Sequence, residues 1–337
     1  RDNGRALFEW LRDNAPDVQA SYIVEPDNLD EYSTNQPGVL AFGSEQHLAA
    51  CIDARVCAFT HHRGYAYPSI IRMINAERYD YTRTIFLQHG ITAMKKSVAR
   101  HYNRKRVNYS AVVVCSQAER LIFRKFFGYG VAQVFATGFP RYDNLFAKAK
   151  GAKADPKQVL FFPTWRPGLE KMTTAEVAGH DFFAQWRAAM QGASEMGLTP
   201  VLILHPMLFR HQELFEGYAS EIRKPTEFQD VLVKSTALVT DYSSVSFDAL
   251  FLQKPVFLFQ FDQTAYGLRE DAFIDIDTQL PGAVSLTLAP FLEKLRRGRD
   301  KDWAFELAPQ RDLYFDTCDD QNCARALNLI RTLGMTN

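Results

Sequence analysis

Short, uninterrupted apolar runs alternate with segments of helical periodicity along most of the chain, and this alternation restricts the fold more than any other feature. Apolar strands without a polar face are typical of parallel sheets that helices cover on both sides. The runs are VLAF, VCAF, TIFL, AVVV and QVFA in the first half and VLFF, VLIL, ALVT and VFLF in the second. The sequence therefore predicts an α/β fold of doubly wound, Rossmann-type sheets.

A polar and basic stretch, AKAKGAKADPKQ at 147–158, interrupts the alternation and has little to bury. We expect it to be a linker between two domains, residues 1–148 and 156–337, because 337 residues suffice for two domains of ordinary size. The tail from about Leu286 looks helical and is expected to pack back on the first domain. The predicted arrangement is two doubly wound domains facing a cleft, with ligands beyond the carboxyl ends of the strands.

Charge and cysteine content exclude other classes of protein. The 39 basic and 39 acidic residues balance, so no overall field attracts nucleic acid. The five cysteines are too scattered for a disulfide framework and fit reduced thiols in a cytoplasmic protein. No apolar run reaches the ~20 residues that span a bilayer, and no signal-peptide pattern opens the chain. Because the chain starts at Arg1 rather than at a methionine, we expect other domains in a longer polypeptide.

Polar side chains follow four predicted strands at their carboxyl ends. They are His89 and Gly90 after TIFLQ, Thr164 and Arg166 after VLFFP, His205 after VLIL, and Asp241, Ser243 and Ser244 after ALVT. Each has an ordinary alternative: a structural histidine, an arginine in a solvated turn, or a serine N-cap worth about 1 kcal/mol. Together they favour phosphate binding, since hydroxyls, a guanidinium fork and a helix N-terminus all bind phosphate oxygens.

An isolated carboxylate would repel phosphate, so we expect Asp241 to fix its loop or orient a neighbour rather than contact the ligand. Gly90 is expected to support its loop in the same way. An essential metal is not indicated, because no Asp-x-Asp pair follows a strand. No cofactor is expected either.

Four blocks, QHGIT, FFPTWR, ILHP and VTDYSSVSFDALFLQKPV, resemble the CDP-glycerol glycerophosphotransferase family in order and spacing. Members of that family build teichoic-acid-type polyol phosphate polymers. The blocks run roughly from Tyr81 to Asp262, and TGFPRYDNL at Thr137–Leu145 also fits. The resemblance implies a GT-B fold, with an acceptor-side first domain and a second domain that binds the CDP-polyol.

The resemblance also implies roles for individual residues. His89 falls on the family's HG motif and is expected to act as the base toward the acceptor hydroxyl. His205 falls on the HP motif and, with Ser243 and Ser244, is expected to hold the donor pyrophosphate. Arg166 matches the arginine of the PTWR block, and Thr164 precedes it on the same phosphate-binding side.

The chain departs from the family around His89. Many members carry a tryptophan before HG and TPLK after it, whereas this chain has Gln88 and ITAMKK. We expect Lys95 to take the place of the family lysine, and the identity of the acceptor stays open.

The implied reaction is an in-line attack of the acceptor hydroxyl on the phosphorus that bears the polyol, with CMP leaving. Because charge spreads over the phosphoryl oxygens, positioning and electrostatic stabilisation supply most of the catalysis. A histidine base with an ordinary pKa near 6.5 typically contributes about 10²–10⁴-fold. The preferred donor is CDP-glycerol, with CDP-ribitol as the alternative, and the expected acceptor is a polyanion or glycan.

Two basic features bear on the acceptor. The stretch KKSVARHYNRKR, with Lys95, Lys96, Arg100 and Arg104, is either a solvated helix face or a track for a polyanionic polymer or an anionic membrane surface. The triplet 61–63, two histidines and an arginine, also follows a strand and either helps to hold the acceptor or lies at the surface. The expected location is the cytoplasm, peripheral at the plasma membrane.

Two alternatives to polyol phosphate transfer remain at this point. One is a GT-B glycosyltransferase that uses a nucleotide sugar, and the other is a non-catalytic nucleotide-binding module of a larger polymerase. The sequence leaves open which polyol is transferred, whether the protein primes or extends a chain, and its oligomeric state.

Overall fold

The computed structural model describes residues 2–28, 36–68, 82–267, 271–298 and 303–335. The chain divides into two compact units. The first unit contains residues 1–91, 97–144 and 314–337, and the second contains residues 92–96 and 145–313.

Within the described residues, every paired strand is parallel to its neighbour, as the apolar runs predicted. The strands are β1 (Tyr22–Val24), β2 (Val39–Ala41), β3 (Val56–Phe59), β4 (Arg83–Phe86), β5 (Ala111–Val113), β6 (Val134–Phe135), β7 (Asp155–Phe162), β8 (Thr199–Ile203), β9 (Glu221–Arg223), β10 (Ser235–Thr240), β11 (Val256–Phe259) and β12 (Ala283–Ser285).

The α-helices of the described residues alternate with these strands. They are α1 (Asn3–Asn14), α2 (Glu45–Asp53), α3 (Ala99–Tyr102), α4 (Arg104–Val107), α5 (Gln117–Phe126), α6 (Arg141–Gly151), α7 (Thr174–Ala178), α8 (Asp181–Glu195), α9 (Phe228–Lys234), α10 (Val245–Phe251), α11 (Gln263–Tyr266), α12 (Leu288–Arg297), α13 (Trp303–Tyr314) and α14 (Asn322–Met335).

The first unit is built on the sheet β3-β4-β5-β6, beside which β1 and β2 form a separate pair. Serine caps set the starts of two of its helices: Ser44 accepts a hydrogen bond from the backbone N–H of His47, and Ser116 accepts one from Glu119. The chain returns to this unit at Tyr314, and α14 packs against α1 and β3.

The second unit is built on a sheet of order β12-β11-β10-β7-β8-β9. Trp186 of α8 is fully buried against it and meets the rings of Phe161 and Phe259 edge-on, at centroid distances of 6.4 and 5.7 Å. Edge-to-face aromatic pairs add to the stability that area burial alone provides. The same core contains Leu202 of β8 and Val239 of β10, and the carboxyl ends of β7, β8 and β10 carry the polar residues singled out above.

The predicted linker is wrong in detail. Residues 147–158 contain the second half of α6 and the first half of β7, and the chain passes between units at 144–145 instead. Alanine and lysine are strong helix formers, so a stretch with little to bury can continue a helix. The Lys148 ammonium contacts Asp230, and Lys150 lies over the ring of Phe146.

Candidate functional site

The carboxyl ends of four neighbouring strands of the second unit lie at one edge of its sheet. Because β11, β10, β7 and β8 are adjacent and parallel, the turns that follow them share that edge. The structure thereby gathers the predicted residues of this unit along it: Thr164, Arg166, His205, Asp241, Ser243 and Ser244.

Asp241 is the buried residue that connects two of these turns. Its side chain is fully buried. One carboxylate oxygen accepts hydrogen bonds from the backbone N–H groups of Thr164, at 2.9 Å, and Tyr242, at 2.7 Å. The other accepts a hydrogen bond from Nη2 of Arg166 at 2.7 Å. Asp241 therefore ties the turn after β7 to the turn after β10.

Arg166 makes the reciprocal set of contacts. Its Nε and Nη2 donate to the two carboxylate oxygens of Asp262, at 2.7 and 3.0 Å, and its Nη1 donates to the carbonyl of Thr164 at 2.7 Å. With the bond to Asp241, these contacts use the Nε hydrogen, one Nη1 hydrogen and both Nη2 hydrogens of the five that arginine carries. The side chain is 12% exposed. The expected free fork for phosphate is thus largely engaged within the protein.

Two tyrosines complete the group that we call the Arg166 clamp, consisting of Arg166, Asp241, Asp262, Tyr242 and Tyr266. The two rings stack at 3.8 Å between centroids, and the guanidinium carbon lies 4.8 and 4.9 Å from them. The Tyr242 hydroxyl donates to Asp262 at 2.8 Å. Sequence reasoning missed Asp262 and Tyr266 because only the fold brings them to Arg166.

The charges of the clamp depend on one another. Burial alone would lower the pKa of Arg166, but the carboxylates of Asp241 and Asp262 raise it above its ordinary value. Burial opposes ionisation of Asp262, yet hydrogen bonds from Arg166 and Tyr242 lower its pKa. Burial raises the pKa of Asp241, against the opposing charge of Arg166. Removing Arg166 would therefore leave two desolvated carboxylates behind, and removing either aspartate would leave part of the buried guanidinium without its partner.

His205 begins the turn after β8 and is partly buried. Its Nδ1 accepts a hydrogen bond from the backbone N–H of Met207 at 3.2 Å, so the neutral ring carries its proton on Nε2. The indole of Trp165 stacks on the imidazole at 5.9 Å between centroids. Burial and the charge of Lys95 lower the pKa of His205. Near neutral pH the ring is therefore an uncharged Nε2–H donor.

The two serines lie at the start of the seven-residue helix α10 and are partly exposed. Ser244 occupies the N-cap position but has helical backbone angles, and its side chain makes no capping hydrogen bond. The Ser243 hydroxyl accepts a long hydrogen bond, 3.4 Å, from the backbone N–H of Val245. N-capping therefore does not account for Ser244.

In the first unit, His89 is exposed on the turn after β4, and the adjacent Gly90 is buried. The ring of His61 stacks on His89 with 5.1 Å between centroids and 6° between planes. Nδ1 of His61 lies 3.6 Å from a carboxylate oxygen of Asp2. The structure thus brings together His89 and one of the histidines that the sequence associated with the acceptor.

The basic stretch 95–106 is not one helix face. It consists of a 3₁₀ turn, Lys96–Val98, followed by α3 and α4, because Asn103 ends α3 and caps α4 through its side chain. Lys95 and Lys96 belong to the second unit, whereas Arg100 and Arg104 belong to the first. Lys95 lies over the ring of Tyr266, 6.0 Å from its centroid, which places it beside the Arg166 clamp.

Across the described ranges, no three or more His, Cys, Asp or Glu side chains are grouped as metal ligands would be. In the same part of the chain, no helix combines the length and apolarity needed to cross a bilayer.

Comparisons of sequence place this chain among known proteins. A family model described as CDP-Glycerol:Poly(glycerophosphate) glycerophosphotransferase matches residues 1–332. The chain is 25% identical over 283 residues to the minor teichoic acid biosynthesis protein GgaB of Bacillus subtilis (strain 168). The aligned region covers 78% of this chain and 31% of GgaB. It is 23% identical over 329 residues to the teichoic acid ribitol-phosphate primase of Bacillus spizizenii; the aligned region covers 89% of this chain and 80% of the primase. The chain spans about a third to a half of the length of the first curated relatives it matches.

Comparisons of structure give the fold. The wall teichoic acid polymerase TagF superposes with a TM-score of 0.72 at 19% identity, over 98% of this chain and 85% of TagF. A UDP-N-acetylglucosamine 2-epimerase superposes with a TM-score of 0.60 at 14% identity, over 98% and 93%. At these identities the likeness concerns the fold alone, and it confirms the predicted GT-B-like α/β class.

Proposed function

The chain belongs to the CDP-glycerol:poly(glycerophosphate) glycerophosphotransferase family, and from this premise we propose that it transfers a polyol phosphate from a CDP-polyol to an acceptor hydroxyl and releases CMP. The product is a phosphodiester of the teichoic-acid type. One observation carries the proposal: the carboxyl edge of the second unit's sheet gathers an imidazole donor and two serine hydroxyls, which suit a pyrophosphate, beside the ionic clamp.

The second unit binds the donor. His205 donates from Nε2 to the phosphate that leaves with CMP, and because the ring is neutral the donation needs no change of protonation. The hydroxyls of Ser243 and Ser244 donate to the pyrophosphate oxygens, since the fold does not use Ser244 as a cap. Lys95 adds a positive charge beside this group, and its effect on the pKa of His205 supports that assignment.

Arg166 acts mainly by positioning. Its bonds to Asp241, Asp262 and the Thr164 carbonyl join the turns after β7, β10 and β11, and the turn after β10 carries Ser243 and Ser244. Thr164 takes part through its backbone, whose N–H and carbonyl both bind members of the clamp. This role replaces the direct phosphate contact that the sequence suggested for Arg166.

The first unit supplies the base. His89 is exposed and accepts the proton of the acceptor hydroxyl as that oxygen attacks the polyol-bearing phosphorus. In the transition state the charge on the phosphoryl oxygens is met by the donors of the second unit. The acceptor oxygen is thus the nucleophile, His89 takes its proton, and CMP leaves with its phosphate bound to His205.

The acceptor is a polyanionic teichoic-acid-type polymer or a glycan. The exposed side chains of Arg100 and Arg104 support this choice, since clustered basic residues attract polyanions and anionic membrane surfaces alike. The protein then works peripherally at the cytoplasmic face of the membrane. Raising the salt concentration should weaken acceptor binding, and insensitivity to salt would remove the argument from these arginines.

The function is tested by incubating the protein with CDP-glycerol or CDP-ribitol and candidate acceptors, then measuring CMP and product mass. We expect CMP and a product heavier by one polyol phosphate. His89→Ala should abolish most turnover while CDP-polyol binding persists, whereas His205→Ala should weaken both. His101→Ala, which removes another exposed imidazole, is the matched control. A parallel incubation with nucleotide sugars tests the alternative: a nucleoside diphosphate and a glycosidic product there, with no CMP from either CDP-polyol, would indicate a glycosyltransferase. Binding of the CDP-polyol without turnover would indicate a non-catalytic module.

A further inference from the structure

The residue before His89 has an unusual backbone conformation. Gln88 has a φ of +57°, in the left-handed region that residues with a Cβ rarely adopt. Such conformations persist where the surrounding structure imposes them, and they concentrate at functional sites.

The side chain of Gln88 is anchored in the interior of the first unit. It is 1% exposed, and its Nε2 donates to the carbonyl of Val113 at 2.6 Å and to Oε1 of Glu119 at 3.2 Å. Glu119 is itself fully buried, and its other oxygen accepts a hydrogen bond from the backbone N–H of Cys115 at 2.8 Å. The side chain thus fastens the turn after β4 to the end of β5 and the start of α5.

The backbone of Gln88 is held from the opposite direction. Its carbonyl accepts a hydrogen bond from Nδ2 of Asn3 at 2.6 Å, and the same Nδ2 lies 3.2 Å from the carbonyl of Leu87. Asn3 is fully buried in the first turn of α1, and its Oδ1 accepts a hydrogen bond from the backbone N–H of Arg141. Both the side chain and the backbone carbonyl of Gln88, the residue that leads into His89, are therefore held by hydrogen bonds.

The same turn of α1 also reaches the partner of His89. Asp2, next to Asn3, lies beside His61, which stacks on the His89 ring. One helix start thus fixes the backbone before His89 through Asn3 and contacts the ring stacked on it through Asp2. A residue whose direction is set by a strained peptide and by a stacked ring has little freedom to turn.

We propose that Gln88 and Asn3 are positioning residues that aim the His89 imidazole at the acceptor hydroxyl, a role that rests on the proposed function. The amide of Gln88 serves as the anchor, and its left-handed backbone sets the direction of the next side chain. Loss of the anchor leaves His89 present but misaimed. Misplacement of a catalytic group by about 1 Å can cost on the order of 100-fold in rate.

Gln88→Gly is the main test, because glycine accepts the left-handed backbone but has no anchor. Gln253→Gly is the matched control: Gln253 also has a positive φ, +55°, but lies before β11, at the sheet edge opposite to the donor-binding turns. Asn3→Ala is the second variant, in case Gln88→Gly fails to fold, and it removes the backbone contact instead. Thermal unfolding identifies which variants are folded.

The readout that does not depend on activity is NMR of the full chain with labelled histidines. The His89 signals are assigned by their loss in His89→Ala, and the contact between the His61 and His89 rings gives a cross-peak. We expect Gln88→Gly and Asn3→Ala to shift the His89 signals and weaken this cross-peak, while Gln253→Gly leaves both unchanged. Unchanged His89 signals in a folded Gln88→Gly would overturn the proposal, whatever the activity.

The activity readout separates positioning from general stability. We expect Gln88→Gly to lower kcat by about 10- to 100-fold without weakening CDP-glycerol binding, which the second unit provides. A kcat equal to that of Gln253→Gly would contradict the proposal. If the unaltered protein releases no CMP from either CDP-polyol, the proposed function fails, and the NMR comparison still decides whether Gln88 and Asn3 hold His89.

Discussion

Removing the guanidinium of Arg166 tests the reinterpretation of this residue as the centre of a clamp. We consider Arg166→Met, which keeps much of the apolar volume beside Tyr242 and Tyr266 but removes the hydrogen bonds that the guanidinium donates to Asp241 and Asp262. In a clamp, the loss appears first as a loss of stability. If Arg166 instead bound a phosphate of the donor, its removal would appear first as a loss of affinity for CDP-glycerol.

The size of the effect follows from burial. Asp241 is fully buried and Arg166 is 12% exposed, and removing one partner of a buried ion pair typically costs about 3–5 kcal/mol. Asp241 keeps its two backbone N–H donors, which favours the lower part of that range. For a unit of this size, each kcal/mol shifts the melting temperature by about 2–4 °C. We therefore expect the second unit to melt about 6–12 °C lower.

The assay is calorimetric unfolding with and without CDP-glycerol, beside isothermal measurement of CDP-glycerol binding. Arg210→Met is the control: that side chain is exposed and bonds only a carbonyl, of Glu170, among the contacts found for it, so we expect a change within about 0.5 kcal/mol. The reasoning is refuted if Arg166→Met unfolds like the unaltered protein yet binds CDP-glycerol at least tenfold more weakly.

Three further predictions concern the second unit. Ser243→Ala with Ser244→Ala should raise the Kd for CDP-glycerol at least tenfold, because hydrogen bonds to charged groups are worth about 1.5–3 kcal/mol each; titration calorimetry measures it, and an unchanged Kd would exclude the serines. His205 has a lowered pKa when folded, so the unfolded state binds more protons below pH 6.5 and stability falls as the pH drops through that window. His205→Asn, which retains a cap acceptor for Met207, should make urea unfolding less sensitive to pH between about 5.5 and 7.5, and an equal sensitivity would contradict the assigned cause. Trp186→Ala should cost about 3–5 kcal/mol in urea unfolding, and a loss under 1 kcal/mol would contradict its place in the core.

The sequence predicted those elements whose signals are local. Strands β7, Asp155–Phe162, and β10, Ser235–Thr240, contain the apolar runs VLFF and ALVT from which they were predicted. The buried strands were visible as apolar runs, because a strand covered on both faces leaves no polar positions. The turns after those strands were therefore predictable as the place where polar side chains collect.

Long-range pairing was not predictable in the same way. Arg166 has a partner 75 residues away in Asp241 and another 96 residues away in Asp262, and no local pattern says that these three meet. The guanidinium was expected to bind phosphate, with a solvated turn next to Pro167 as the ordinary alternative, and neither interpretation included a carboxylate partner. Desolvation and charge, which depend on the whole fold, decide its role.

The contacts of the residues that support His89 were also not predictable from the sequence. Sequence comparison drew attention to Gln88 as a departure from the family, but not to its left-handed backbone. Asn3 lies in a part of the chain where no motif was recognised, and it meets Gln88 across 85 residues. A buried amide that binds two carbonyls leaves no trace in the hydrophobic pattern.

Following the phosphorus of the donor tests the central claim most directly. The protein is incubated with an acceptor and CDP-glycerol labelled at the glycerol-bearing phosphorus, and the label is traced. Attack on that phosphorus transfers the label to the acceptor and leaves unlabelled CMP, which is the result we predict. Recovery of the label in CDP would mean that the bond to glycerol carbon is broken instead, and would contradict polyol phosphate transfer.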